Sequence, residues 1–181
     1  LKTRRFQTGR KPLADESKDG AVKVDNFIPI LRELAAEDCR FFVEGGQAVN
    51  FWAEYFVEKS ICSSEFHHFR PFTSKDCDLW IDVNVLKCLD KRDDGLLIKG
   101  DSPADGQVGI FRTGGEPELI FDLLSNVFGI RLDDLPRVFE RASDFEGIRF
   151  MDPLFLFQSK CLCYLSLDQN GRQDQKHVRL L

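Results

Sequence analysis

Two adjacent glycines, Gly45 and Gly46, lie between a short apolar run at 40–43 and a segment at 47–57 in which apolar residues recur at helical spacing. The run is long enough for a buried strand, so the local order is strand, Gly-Gly, helix. Glycine permits a sharp turn and lets a ligand approach the backbone closely. The free N–H groups that begin the helix then favour an anion such as phosphate. A plain tight turn is the alternative for the glycine pair taken alone.

Carboxylates alternate with apolar residues in the segment at 74–82, whose sequence is Ser-Lys-Asp-Cys-Asp-Leu-Trp-Ile-Asp. Side chains in a strand point to alternate faces. One predicted face carries Asp76, Asp78, Trp80 and Asp82, and the other carries Cys77, Leu79, Ile81 and Val83, which we expect in a core. Two carboxylates this close repel unless a cation lies between them, and Mg²⁺ prefers oxygen ligands. The pair therefore predicts a metal site, with solvated acids on an edge strand as the alternative.

A third carboxylate, Asp122, lies inside a very apolar segment at 117–124. An unpaired buried charge is costly, so Asp122 needs a partner. A metal ion shared with Asp76 and Asp78 would supply one. A salt bridge to Arg112 or Arg131 is the alternative.

The remaining pattern predicts helices over 24–38, 84–94, 172–181 and from Pro153 onward. It predicts strands over 107–112, 137–142 and 147–151, and loops over 59–72 and 95–106 apart from the apolar residues 96–98. The glycines at 114–115 predict a hairpin into the Asp122 strand. This hairpin would make the Asp122 strand an antiparallel neighbour in the sheet, where Asp122 can approach the Asp76 and Asp78 pair.

The order of these motifs resembles the DNA polymerase beta-type nucleotidyltransferase superfamily, and most closely the bacterial AbiEii-type toxin group. That group combines a Gly-Gly helix start, a Ser or Thr two residues before Asp-x-Asp, a C-terminal lysine helix and an Arg-x-x-Asp-type helix. The residues that match are Gly45, Gly46, Ser74, Asp76, Asp78, Asp122, Lys160, Arg172 and Asp174. The resemblance spans about 25–181. It departs from the family in the long insertion at 59–72 and in the loose match at 172–174.

The resemblance implies an α+β nucleotidyltransferase fold, with a mixed, mostly antiparallel sheet flanked by helices and with helices at the C-terminal end. It also implies transfer of a nucleoside monophosphate from a nucleoside triphosphate, such as ATP, to a hydroxyl group, with release of pyrophosphate. Two Mg²⁺ ions, or Mn²⁺, would be held by the catalytic residues Asp76, Asp78 and Asp122. The residues implied in nucleotide binding are Gly45, Gly46, Gln47, Ser74 and Lys160.

The partners implied by the resemblance are a nucleoside triphosphate, a hydroxyl acceptor and a cognate antitoxin. The acceptor could be an RNA end, including tRNA, a small molecule or a protein. The net charge of −5 gives no global basic field that would indicate a large nucleic-acid footprint. No run approaches the roughly 20 apolar residues of a membrane helix. The six cysteines include no Cys-x-x-Cys pair, which favours free thiols in the cytoplasm over structural zinc.

The length of 181 residues predicts one compact domain with small extensions. We expect a flexible arm at 1–23, a nucleotidyltransferase core at 24–152 and a C-terminal helical segment at 153–181. The basic residues of the arm are typical of a solvated tail or of an RNA-contacting segment. The last helical pattern stops in mid-period at Leu181, so we expect it to continue beyond this residue.

Three other classes of function compete with nucleotidyl transfer. An inactive nucleotidyltransferase-fold protein would bind a nucleotide or a partner without turnover. A ribonuclease would use Arg172 and His177, whose spacing occurs in some helical toxin nucleases. A purely structural α+β domain would bind neither metal nor nucleotide.

Overall fold

The structure is a computed structural model, and it describes residues 20–61, 64–100 and 106–181. Most of the predicted N-terminal arm therefore lies outside the described residues. Within residues 20–23, Val22 exchanges two backbone hydrogen bonds with Ser74, of 2.9 and 3.1 Å. This contact attaches the beginning of the described chain to the segment that precedes the paired carboxylates. The proposed division of the chain at residues 23 and 152 stays a prediction.

Strands in the described part of the chain form a single seven-stranded sheet in the order β3-β4-β5-β2-β1-β7-β6. The strands are β1 Phe41–Val43, β2 Asp76–Ile81, β3 Gly95–Lys99, β4 Gln107–Thr113, β5 Ile120–Leu124, β6 Ser143–Phe145 and β7 Ile148–Phe150. The pairs β1–β7 and β2–β5 are parallel, whereas the other four pairs are antiparallel. The predicted mixed, mostly antiparallel sheet is confirmed.

The described part of the chain also contains six α-helices. They are α1 Ile28–Ala36, α2 Gly45–Glu58, α3 Val83–Leu89, α4 Leu135–Arg141, α5 Pro153–Ser166 and α6 Asp174–Leu180. Helices α1, α4 and α5 each have a proline in the first turn, where its missing N–H costs no helical hydrogen bond. Short 3-10 turns occupy Val24–Asn26, Ser64–Phe69 and Leu132–Asp134.

The pairing of β5 confirms the predicted hairpin and adds a parallel neighbour that was not predicted. Strand β5 is antiparallel to β4, as the predicted hairpin requires, but it is parallel to β2. A hairpin turn determines only the direction of the strands it joins, so the β2–β5 direction depends on the longer connection through α3 and β3. The expected proximity of Asp122 to the acidic pair nevertheless holds, because Asp78 and Asp122 are direct partners in the β2–β5 register.

Two local predictions were wrong. The segment at 137–142 belongs largely to helix α4, because Leu135 and Val138 are buried at i, i+3 spacing. The apolar residues 96–98, which were excepted from the predicted loop, lie in strand β3 and pair with β4. Val83 is 63% exposed instead of buried, because β2 ends at Ile81. Asp82 then caps α3 by accepting the N–H groups of residues 84 and 85.

Phenylalanine dominates the core on the face of the sheet opposite the acids. The side chains of Cys77, Leu79, Phe121 and Leu123 are fully buried there, alternating with half-buried residues of the other face. The ring of Phe27, which immediately precedes α1, meets Phe121 edge-on at a centroid distance of 5.1 Å. This packing holds β2 and β5 side by side at the centre of the sheet. No helix in the described ranges has both the length and the apolar character needed to cross a membrane.

We expect Phe121→Ala to lower the free energy of unfolding by about 3–5 kcal/mol, because it leaves a cavity beneath the paired strands. Phe128→Ala is the matched control, since Phe128 is 48% exposed, and its effect should stay near 0.5 kcal/mol. Urea unfolding of both variants measures the difference. Equal losses for the two variants would contradict the described core.

Candidate functional site

Three carboxylates meet on one face of the central strands. Asp76 and Asp78 are half-buried on β2, while Cys77, Leu79 and Ile81 face the core. The predicted alternation is therefore confirmed up to Ile81. Asp122 lies opposite Asp78 on β5. In a parallel pair this register places both side chains on the same face. The structure therefore brings together the three acids predicted from the sequence.

The glycine turn closes directly onto Asp78. The Glu44 N–H donates to the Asp78 carbonyl oxygen at 2.9 Å, which extends the β1–β2 ladder up to the start of α2. Gly45 then has a φ of +62°, and a Cβ at this position would lie 1.7 Å from Asp78 Oδ2. Only glycine satisfies both the left-handed backbone and the contact. The turn is thus built around the carboxylate.

The N-terminus of α2 donates a hydrogen bond to the Asp78 carboxylate. The Gly46 N–H donates to the Asp78 carboxylate, an interaction that lowers the pKa of this group. A negative charge at a helix N-terminus is also favoured by the helix dipole. The helix start that was predicted to bind phosphate therefore binds a protein carboxylate. Of the two glycines, Gly46 lines the open cleft.

Burial and mutual repulsion raise the pKa values of two of the acids. The pKa of Asp78 is raised by burial and then by Asp76, against the opposing influence of Lys160. The pKa of Asp122 is raised to about 6 by burial, then by Asp78 and Asp76. Gln107 Nε2 donates to Asp122 Oδ1 at 3.0 Å and lowers this pKa. Such crowding is the condition under which a cation is attracted.

The partner of Asp122 differs from the two arginines that were considered. Arg112 lies 3.7 Å from Glu118, and Arg131 lies 3.7 Å from Asp133. Neither arginine forms a salt bridge with Asp122, although the charge of Arg112 lowers its pKa. The side-chain amide of Gln107 is instead a hydrogen-bond partner of Asp122.

Ser74 and Gln47 occupy different positions relative to the acids. Ser74 Oγ donates to Asp76 Oδ1 at 3.1 Å and lines the cleft. Gln47 is fully buried, and its Nε2 donates to the carbonyl oxygens of Val22 at 3.0 Å and of Ser74 at 3.4 Å. Gln47 thus holds the segment that carries Ser74, and it does not line the cleft.

A positively charged wall faces the acids from α5 and from the turn before α6. Lys160 is buried, with its Nζ 3.4 Å from Asp174 Oδ1. Arg172 Nε lies 2.5 Å from Asp174 Oδ2. Burial alone would raise the pKa of Asp174, but the hydrogen bond from Arg172 and the charge of Lys160 lower it overall. Asp174 therefore holds both cations at the edge of the cleft.

His177 is a cleft residue that the sequence indicated only through the ribonuclease hypothesis. Its side chain is buried, and both ring nitrogens lack a hydrogen-bond partner among the described residues. The ring faces the glycine turn, with Cε1 3.4 Å from the position of a Cβ on Gly46. Burial, then the charges of Lys160 and Lys176, lower its pKa to about 3. A neutral imidazole with this pKa is poorly suited to acid–base cleavage of RNA near pH 7.

Glu44 was not predicted as a site residue. It is buried, and one of its carboxylate oxygens has no hydrogen-bond partner among the described residues. Burial, then the charge of Asp78, raise its pKa well above the ordinary value, which favours a protonated carboxyl. The sequence signal that could have identified Glu44 as a site residue is its position between a buried strand and the glycine pair.

The acids and the positively charged wall line one open cleft of about 300 Å³. Its lining includes the three aspartates, Ser74, Lys160, Arg172 and His177. A larger cleft of about 980 Å³ lies beside α1, α2 and the β6–β7 hairpin, and it contains none of these residues. We place the candidate site in the smaller cleft, because charge and unpartnered polar atoms concentrate there.

The acids fit a magnesium ion in donor chemistry. Mg²⁺ takes oxygen ligands, and it usually combines one or two carboxylates with phosphates and water. Among the described residues, no three His, Cys, Asp or Glu side chains form a ready metal-binding group. A cation at Asp76, Asp78 and Asp122 would therefore need ligands from a substrate or from solvent.

Comparison with solved structures agrees with the predicted fold. The chain resembles an antigenic nucleotidyltransferase-like protein from Paracoccidioides brasiliensis, with a TM-score of 0.51 and 13% sequence identity. The similarity covers 88% of this chain and 77% of the other. No protein-family model and no curated protein matches the chain. The fold is thus nucleotidyltransferase-like, and the comparison does not extend to the AbiEii-type group.

We expect Gly45→Ala to destabilise the protein by more than about 1–2 kcal/mol, because the left-handed backbone and the Asp78 contact both oppose a Cβ. Gly115→Ala is the control, since a Cβ there meets nothing within 4 Å. Thermal unfolding of the two variants measures the effect. A Gly45→Ala protein as stable as the control would contradict the described turn.

We expect Asp122→Asn to stabilise the fold, because its pKa of about 6 lies above the ordinary value of 3.8. A raised carboxyl pKa means that the folded state binds the proton more tightly, so ionisation costs stability increasingly from about pH 4 and in full above about pH 6. The gain should be on the order of 1–3 kcal/mol at pH 7.5 and should fall to a fraction of this value near pH 4. Asp133→Asn, at a side chain that is 88% exposed, should change little at either pH. Urea unfolding at both pH values provides the measurement.

Proposed function

We propose that the protein is a metal-dependent nucleotidyltransferase that moves a nucleoside monophosphate from a nucleoside triphosphate to a hydroxyl acceptor. One observation carries the proposal: Asp78 and Asp122, in direct register with raised pKa values, face Lys160 and Arg172 across one cleft. The similarity to a nucleotidyltransferase-like fold also supports the proposal. Catalysis of this kind depends mainly on positioning and on charge neutralisation.

Asp76, Asp78 and Asp122 would hold Mg²⁺, as two ions, or Mn²⁺ in its place. When bound, the metal would neutralise phosphate charge and activate the acceptor hydroxyl. Ser74 fixes the orientation of Asp76 through its hydroxyl, and Gly46 fixes that of Asp78 through its N–H. Asp122, whose pKa is about 6, is a suitable group to orient the hydroxyl and to hold its proton.

Lys160 and Arg172 would contact the triphosphate. Both cations already share Asp174, so phosphate oxygens would compete with this carboxylate for them. His177 would add a neutral N–H donor beside Gly46, since its ring has no protein partner among the described residues. These groups would orient the nucleotide, and the acids would act at the reacting phosphate.

The proposed acceptor is a hydroxyl group of an RNA end, including tRNA, of a small molecule or of a protein. The net charge of −5 favours a small contact area over an extended nucleic-acid footprint. A place in the AbiEii-type toxin group, with a cognate antitoxin, is a finer proposal that rests on Lys160, Arg172 and Asp174. Growth arrest on expression, relieved by a neighbouring gene product, would test it.

A nucleotide-binding protein without turnover is the second candidate. The observation that favours it is the absence of a ready metal-binding group among the described side chains. Such a protein would bind a nucleotide through Lys160 and Arg172 and would release no pyrophosphate. The two candidates therefore differ in turnover rather than in binding.

We expect Asp78→Asn to weaken Mg²⁺-dependent nucleotide binding at least tenfold and to abolish pyrophosphate release. The amide keeps the size of the side chain and removes the charge that a cation requires. Asp82→Asn is the matched control, because Asp82 follows the same strand but only caps α3. Calorimetric titration of each nucleoside triphosphate, with and without Mg²⁺, measures binding, and a phosphate-coupled assay measures turnover.

The outcomes of this experiment separate the candidates. Metal-dependent binding and turnover that Asp78→Asn removes, with the control unchanged, would support the enzyme. Binding without turnover for RNA, protein and small-molecule acceptors would favour the second candidate. Failure of the wild-type protein to bind any nucleotide would overturn both.

A further inference from the structure

Two cysteines from distant segments meet on the side of the molecule away from the cleft. Cys39 directly precedes Arg40 and β1, and Cys88 lies on α3. Their Sγ atoms are 3.0 Å apart, although 49 positions separate them in the chain. A disulfide bond has a sulfur–sulfur distance of about 2.05 Å, so the two sulfurs need to approach by only about 1 Å. Among the described cysteines, no other pair of sulfurs is in contact.

The two thiols differ in accessibility. Cys39 is buried, whereas Cys88 is half-buried and lines a surface cleft of about 330 Å³ between α1 and α3. Burial, then the hydrogen bond with Cys88, raises the pKa of Cys39 to about 12, so Cys39 stays protonated at neutral pH. A small oxidant that enters this cleft therefore meets Cys88 first. Cys39 is placed to react second.

We propose that Cys39 and Cys88 form a reversible disulfide when the protein meets a peroxide oxidant, at a modification site separate from the nucleotide cleft. The sulfur of Cys88 attacks one peroxide oxygen, the O–O bond breaks, and one water leaves with the thiol proton. Cys88 is then a sulfenic acid. The sulfur of Cys39 attacks it, the S–O bond breaks, and the proton of Cys39 leaves with the hydroxyl as a second water. The two thiols together lose two electrons, and hydrogen peroxide gains them.

The bond would enclose the elements that carry the glycine turn and two of the three acids. The segment between the two cysteines contains β1, α2 and β2, and with them Gly45, Gly46, Asp76 and Asp78. A cross-link over this length restricts the unfolded chain and so favours the folded state. It also ties α3 to the start of β1. The proposal rests on the sulfur contact and is independent of the nucleotidyltransferase hypothesis.

The test uses the full chain, first reduced and then treated with hydrogen peroxide. Peptide mass spectrometry without reductant should show one linked peptide pair, Cys39 with Cys88, that dithiothreitol reverses. The thermal midpoint should rise by several degrees on oxidation. Cys88→Ser should abolish both changes, whereas Cys161→Ser, at a half-buried cysteine elsewhere, should keep them.

A third variant makes the order of the two cysteines testable. In Cys39→Ser the sulfenic acid on Cys88 has no second thiol, so a dimedone probe should label Cys88. Absence of the linked pair from folded, oxidised wild-type protein would overturn the proposal. Linked peptides spread equally over other cysteines would overturn it as well, because the observed contact predicts one specific bond.

Discussion

The contact between the Asp78 carboxylate and the glycine turn determines the layout of the whole cleft. Antiparallel pairing of β1 with β2 brings the Glu44 N–H onto the Asp78 carbonyl, so α2 begins directly beside this side chain. The helix can start there only because Gly45 has no Cβ. The carboxylate in turn receives the Gly46 N–H at the positive end of the helix. Strand pairing, turn conformation and charge therefore depend on one another at this point.

A separation of negative and positive charge across the cleft follows from that layout. The acids of β2 and β5 crowd one face of the sheet and raise the pKa values of Asp78 and Asp122, which costs stability at neutral pH. The cations opposite them are held by Asp174, so the free protein keeps positive and negative charge apart within a single cleft. Destabilising charge that serves no packing role is typical of functional sites. This separation of charge, more than the similarity of the fold, supports the proposal of a cationic or phosphate-bearing ligand.

The local features of the site and the proximity of Asp122 to the acidic pair were predictable from the sequence, whereas the other long-range contacts were not. Alternation along 76–81 predicted which residues face the core, because the period of a strand is a local property. The parallel pairing of β5 with β2 was missed because the glycine turn defines only the β4–β5 hairpin. His177 joins the cleft through packing between distant elements. The pairing of Cys39 with Cys88 likewise has no local pattern.

The cleft and the cysteine pair lie at opposite ends of the same two strands. In the antiparallel register Phe41 pairs with Ile81 and Val43 with Leu79, so Cys39 and α3 lie at one end while Glu44 and Asp78 lie towards the other. Five residues of extended chain, about 17 Å, separate Cys39 from Glu44. A disulfide at the first end would therefore hold the strands together without reaching the acids. Because the Glu44 N–H donates to the Asp78 carbonyl, tighter coupling of β1 to β2 would act on the candidate site through strand alignment rather than through direct contact.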